Sequence, residues 1–182
     1  MLKNFHTQFL SIVLLILTNC KEAPPQIQVE KPQPITTIYL IRHAEKDRTD
    51  PQNPDPELNQ KGLGRAMHWA EIFDDIALDL VYSTDYERTS MTAAPVSVKK
   101  DIPVEYYDPK NIDIQDFKLK NLGKRILVVG HSNTIPEMVN GLIGEEEYAQ
   151  MDDTDNGSLF IVNLIGSQSF SSRLRINCNC PD

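Results

Sequence analysis

Basic residues are in short supply in this 182-residue chain: 18 lysines and arginines face 26 aspartates and glutamates, for a formal net charge of −8. No basic patch stands out, so nucleic acid would be repelled over much of the surface and is not an expected partner. Cysteine is scarce as well. Apart from Cys20 there is only Cys178-Asn179-Cys180. A zinc site on that pair would need two further ligands, and a disulfide between residues two apart is strained, so the pair is left without a role. No glycine-rich loop ending in lysine is present, which excludes that kind of ATP or GTP site. No internal repeat is visible, and no apolar run reaches the ~20 residues that span a bilayer as a helix.

The longest apolar run is Phe9–Leu17, preceded by Lys3 and His6 and followed by Thr18-Asn19-Cys20. A positive start and a short apolar stretch are the pattern of an export signal, here residues 1–19. A cysteine directly after that stretch resembles a bacterial lipoprotein site, although Asn19 is larger than the residue usual before the cysteine. The resemblance implies acylation of Cys20, each buried acyl CH₂ contributing ~0.8 kcal/mol to membrane hold. Four prolines between Lys21 and Pro34 make residues 20–35 an extended linker. The expected place is the bacterial cell envelope, lipid-anchored to a membrane, with a secreted or periplasmic soluble form as the alternative. Removal of residues 1–19 leaves 17 basic and 26 acidic residues, a net charge of −9. Residues 36–178 are then one domain and 179–182 a tail; about 150 residues suffice for one sizeable core.

Within the domain, Thr37-Ile-Tyr-Leu-Ile41 has the composition of a buried strand and breaks abruptly into Arg42, His43, Glu45 and Lys46. Arg125-Ile-Leu-Val-Val-Gly130 repeats that shape and ends in His131, and is expected at the centre of the sheet. Between them, Lys46–Pro56 carries three prolines and reads as a loop walling a pocket. Asn59 can cap a helix with Leu63, Ala66, Met67, Ala70 and Phe73 at helical spacing. Met67 and Trp69 read as packing residues and His68 as an edge histidine. Leu78–Ser83 reads as a strand, and Thr84 with Glu87 has capping-box spacing for a helix that Pro95 should stop. Ile102–Tyr107 is a third strand, Ile112–Leu119 a short helix and Ile135–Leu142 another, with Glu145–Glu147 a solvated helix start. Two late strands, Gly157–Leu164 and Phe170–Ile176, are joined by a linker so short that they must pair antiparallel. The fold class is α/β: a three-layer α/β/α sandwich whose central sheet is mostly parallel with a late antiparallel strand.

Arg42, His43, Arg88 and His131 all fall at carboxyl ends of strands or just beyond, where open α/β sheets place their sites. Each alone has an ordinary structural reading. Together, two guanidiniums and two imidazoles suit the oxygens of a phosphoryl group. Zinc wants three or four ligands and would be repelled by flanking arginines, so no metal or other cofactor is expected.

These residues also carry a family resemblance. Arg42-His43-Ala44-Glu45 resembles the Arg-His-Gly-Glu motif of the histidine phosphatase superfamily, the phosphoglycerate-mutase-like proteins, and is similar to its small bacterial phosphatases. Tyr82–Ala93 resembles the second motif, whose arginine matches Arg88, and Val128-Val129-Gly130-His131-Ser132 the third. The resemblance implies phosphomonoester hydrolysis through phosphohistidine on His43, with phosphate held by Arg42, Arg88 and a protonated His131. It implies a general acid after the third strand, Asp108 with Glu105 as alternative, a supporting role for Glu45, and a phosphate contact near Thr49. Expected substrates are phosphorylated small molecules or phosphoproteins. A noncatalytic phosphate-ligand module of the same fold is the alternative reading; a mutase-type phosphotransferase is the second, disfavoured by the short Arg48–Glu57 loop.

Overall fold

The computed structural model describes residues 32–180, so the expected export signal and Cys20 lie outside the described residues. Ten elements alternate: β1 (Ile35–Arg42), α1 (Gln60–Ile72), β2 (Leu80–Ser83), α2 (Glu87–Lys100), β3 (Val104–Tyr106), α3 (Ile114–Lys120), β4 (Arg125–Gly130), α4 (Thr134–Ile143), β5 (Ser158–Ile165) and β6 (Gln168–Arg175). The strands form one sheet in the order β3-β2-β4-β1-β5-β6. β3, β2, β4 and β1 pair in parallel, β5 runs against β1, and β6 runs against β5, so β5 alone points the other way. This is the expected sandwich.

Side chains alternate across a strand, and the two faces divide the core accordingly. Ile38 and Leu40 of β1, with Ile126 and Val128 of β4, pack on one face against Phe117 of α3 and Met138, Val139 and Leu142 of α4. Ile41, Leu127 and Val129 face the other way, onto Trp69 and Phe73 of α1 and Ala93 and Val96 of α2. With apolar side chains on both faces, β1 and β4 are continuous hydrophobic runs in the sequence.

Several local expectations are revised. α2 begins after Tyr86, without a side-chain cap, and runs through Pro95 to Lys100. The burial of Ala93 and Val96 on either side of that proline outweighs its helix penalty. Met67 is 58% exposed and only Trp69 of that pair packs. Glu145–Glu147 start no helix. The Asn140 side chain accepts from the Glu147 and Tyr148 amides there, which gives the backbone another partner. Cys178 and Cys180 are joined as a disulfide, their Cα atoms 5.1 Å apart and within bridging reach despite the short separation. Among the described residues no helix is long and apolar enough to cross a membrane.

The start of α1 shows why a weak helix former stands there. Asn59 accepts from the Gly62 amide, as expected of a cap, and a Cβ on Gly62 would lie 2.1 Å from the Glu45 carbonyl oxygen. Glycine lets the helix press directly on the loop after β1. Gly62→Ala is therefore expected to lower unfolding free energy by about 1–3 kcal/mol, as overpacking against backbone does; urea denaturation would show it, and an unchanged midpoint would contradict the contact.

Candidate active site

The parallel register of β1 on β4 pairs Arg42 with Gly130, so His43 and His131 leave adjacent strands at the same level. The His43 amide donates to the Gly130 carbonyl at 2.9 Å, and the two imidazole centroids lie 5.5 Å apart. β2 ends one strand further out, and its following residue, Thr84, holds its hydroxyl 2.9 Å from His131 Nε2. This buried hydroxyl answers to the histidine rather than to a helix cap. Arg88 is the second residue of α2. The sheet thus brings Arg42, His43, Arg88 and His131 to one cavity of about 570 Å³, as the sequence reading expects.

His43 is 3% exposed, and its Nδ1 sits 2.7 Å from the Ala44 carbonyl oxygen. A carbonyl only accepts, so Nδ1 carries the proton and Nε2 presents a lone pair. Burial lowers the His43 pKa to about 3, with Arg42, His131 and Arg88 adding to the effect and the Ala44 bond opposing it. At pH 7 the ring is a neutral base. Burial also lowers His131, to about 4, assisted by Arg88 and Arg42. In the free site, desolvation and the neighbouring guanidiniums both penalise a charge on His131; the expected protonated form belongs to the phosphate-bound site.

Carboxylates hold the arginines. Arg42, 2% exposed, pairs with Asp153 at 2.5 Å and donates to the Asp152 carbonyl at 3.0 Å. Arg88 pairs with Asp55 at 3.0 Å, and the same carboxylate accepts from the Glu87 amide at the start of α2. Arg88 also lies 4.4 Å over the Tyr86 ring, which meets His131 edge-on at 5.0 Å. The Nε atoms of both arginines are buried and have no acceptor among the described residues. A buried donor without a partner is costly, and an oxyanion in the cavity would supply one.

Other expected residues stand elsewhere. Glu45 forms a two-pronged pair with Arg65 of α1, Nε to Oε2 at 2.9 Å and Nη2 to Oε1 at 2.7 Å, which fastens the loop after β1 and fits a supporting role. Thr49 is exposed and folds onto Asp47, so it is not brought to the cavity. Neither is Asp108. Pro109 and Lys110 line the His43 cavity, but Asp108 lines the neighbouring cleft with Glu105. There it accepts from the Lys110 amide and the Asn111 side chain, which hold it below the ordinary carboxylate range. In this structure the residue expected as the acid caps a turn outside the cavity that holds His43. The sequence reading missed Asp55, Tyr86, Asp153 and Glu137. Only Asp55 and Tyr86 had a signal, lying in the loop and motif already singled out. Among the described residues no three His, Cys, Asp or Glu side chains are placed to share a metal ion.

Comparison with known proteins agrees with this arrangement. Residues 38–109 match the family model of the histidine phosphatase superfamily, branch 1. Solved structures share the fold. One is an Agrobacterium tumefaciens protein provisionally assigned as the phosphohistidine phosphatase SixA, with 20% identity, 76% of this chain and 97% of that one covered, and a TM-score of 0.56. A protein histidine phosphatase SixA complexed with tungstate has 14% identity, coverages of 76% and 96%, and a TM-score of 0.61. A phosphoglycerate mutase from Bacillus anthracis has 15% identity, coverages of 79% and 94%, and a TM-score of 0.59. No curated protein matches the sequence. The chain is thus histidine-phosphatase-like in sequence over residues 38–109 and in the fold of its described domain.

The neutral state of His43 can be read directly. Its ring resonances are expected to stay fixed from pH 8 down to pH 5 and to titrate near pH 3; a midpoint close to 6.5 would show that burial does not suppress the charge.

Proposed function

We propose that this protein is a metal-independent phosphomonoesterase that works through phosphohistidine on His43. The observation that carries the reading is the Nδ1 contact to Ala44, which leaves Nε2 of a neutral imidazole facing a cavity lined by Arg42, Arg88 and His131. Nε2 attacks phosphorus as the ester oxygen departs, and the two guanidiniums take the nonbridging oxygens. The dianion displaces Asp153 and Asp55 from them and raises the proton affinity of His131, which then donates as well. Water attacks the phosphohistidine next, releasing inorganic phosphate and restoring the neutral ring.

Hydrolysis is favoured over phosphoryl return to a sugar acid because the cover is slight. The loop from Lys46 to Leu58 closes by one bridge between those residues, and only seven residues separate β3 from α3. The substrate is a phosphorylated small molecule or phosphoprotein. The described domain should hydrolyse 4-nitrophenyl phosphate in excess chelator, with His43→Ala losing at least about 10³-fold in kcat, as removal of a nucleophile does. Full activity in that variant would overturn the assignment.

The location inferred from the N-terminal sequence is a membrane face of the cell envelope, through acyl chains on Cys20. Expression of the full chain with labelled palmitate in a bacterial host is expected to label it, and Cys20→Ser to abolish the label; equal labelling of both would exclude that attachment.

A further inference from the structure

Alkyl phosphate esters release a strongly basic alkoxide, so their cleavage needs a proton donor beside the leaving oxygen. With Asp108 turned away, the described lining of the phosphate cavity offers two carboxylates, Asp153 and Glu137. Asp153 is held by Arg42 and Arg48, at 2.5 and 2.6 Å. Once phosphate takes Arg42, Arg48 still engages Asp153 as an acceptor.

Glu137 differs in both position and surroundings. It lies in the first turn of α4, six residues beyond His131, with its side chain exposed at the cavity wall. Among the described residues no hydrogen bond or ion pair holds its carboxylate, which is exposed at the surface. Glu137 also lines a second, largely apolar cavity of about 200 Å³, walled by Tyr107, Ile112, Ile114 and Met138. The two cavities share Pro109, Thr134 and Glu137. A phosphoryl group on the arginines and an apolar leaving group in the side cavity would put the bridging ester oxygen at that shared wall.

We propose that Glu137 is the proton donor to the leaving group, and that the side cavity seats an alkyl portion of the substrate. The inference rests on the phosphomonoesterase reading. As the bond from His43 Nε2 to phosphorus forms and the phosphorus–oxygen ester bond breaks, the Glu137 carboxyl gives its proton to the departing oxygen, which leaves as an alcohol. The resulting carboxylate takes a proton from water as that water attacks phosphohistidine. The nitrogen–phosphorus bond breaks, inorganic phosphate departs, and Glu137 is protonated again.

The test compares n-butyl phosphate, whose leaving group needs a proton, with 4-nitrophenyl phosphate, whose leaving group hardly does. Glu137→Gln is expected to lower kcat/KM for the butyl ester by about 10²–10³-fold and to change the nitrophenyl ester by less than about 5-fold. The basic limb of the butyl-ester pH profile should vanish in Glu137→Gln and return in Glu137→Asp. Retained inorganic phosphate binding by Glu137→Gln would show that the pocket is intact. Equal losses on both esters, an unchanged basic limb, loss of phosphate binding, or wild-type turnover of the aryl ester with none of the butyl ester would each overturn the proposal. Failure of the wild type on the aryl ester is a separate result, which would remove the phosphatase reading itself.

Discussion

The pairing of β1 with β4 is the constraint on which the site depends. One strand carries Arg42-His43 at its end and the other Gly130-His131, and the register that sets Arg42 opposite Gly130 places the histidines side by side. A slip of one residue would turn the apolar side chains of either strand to the wrong face as well as parting the imidazoles. Core burial and catalytic geometry are therefore fixed by the same hydrogen-bond ladder. Gly130 belongs to this constraint: a Cβ there would lie 2.8 Å from Ile135 and 2.9 Å from the Tyr107 hydroxyl. Bare backbone at that point lets the end of β4, the start of α4 and the segment after β3 close up beneath the cavity.

Two loops complete what the ladder begins, and they do so with acids. The segment before β5 reaches across both signature turns. Met151 donates to the Ser132 carbonyl, Asn156 to the His43 carbonyl, and Asp153 receives Arg42. On the other side, the loop after β1 folds back through the Lys46–Leu58 bridge and brings Asp55 to Arg88 and the start of α2. Uncompensated buried guanidiniums would be costly, and these carboxylates offset them without a ligand. An anionic ligand at the two guanidiniums would have to compete with both. Such a competition would favour a doubly charged group over singly charged or neutral ligands, because it alone could replace two carboxylates at once.

How much of this was legible in the sequence depends on the kind of interaction. β1 and β4 are buried on both faces, and their unbroken apolar runs declare them; their charged ends declare the site. The late hairpin follows from linker length alone. What stayed hidden was set by tertiary contact. Pro95 reads as a stop because local propensity cannot weigh the burial of Ala93 and Val96. The family resemblance points to Asp108 as the acid, but the turn that its carboxylate caps, set along the next cleft, is not visible in the sequence. Thr84 has the spacing of a cap, but its hydroxyl is taken by His131. Asp153 and Glu137 carry no sequence signal, since each is an ordinary surface acid until the fold sets it against the cavity.

The same distinction separates the chemistry that the fold fixes from the chemistry it leaves adjustable. Burial and the positive neighbours Arg42, His131 and Arg88 favour a neutral His43, and its Nδ1 contact to Ala44 fixes which nitrogen carries the proton. A structure this constrained leaves little freedom to vary the His43 end of the site. The other end is built from the short segment after β3 and the first turn of α4, with Pro109, Thr134 and Glu137 at the junction of two cavities. Pro109 and Glu137 make no part of the β1–β4 ladder, whereas the Thr134 hydroxyl accepts from the His131 amide at its end. Under the proposed function, substrate choice would reside at that other end of the site, and solved structures of one fold include both a protein histidine phosphatase and a phosphoglycerate mutase.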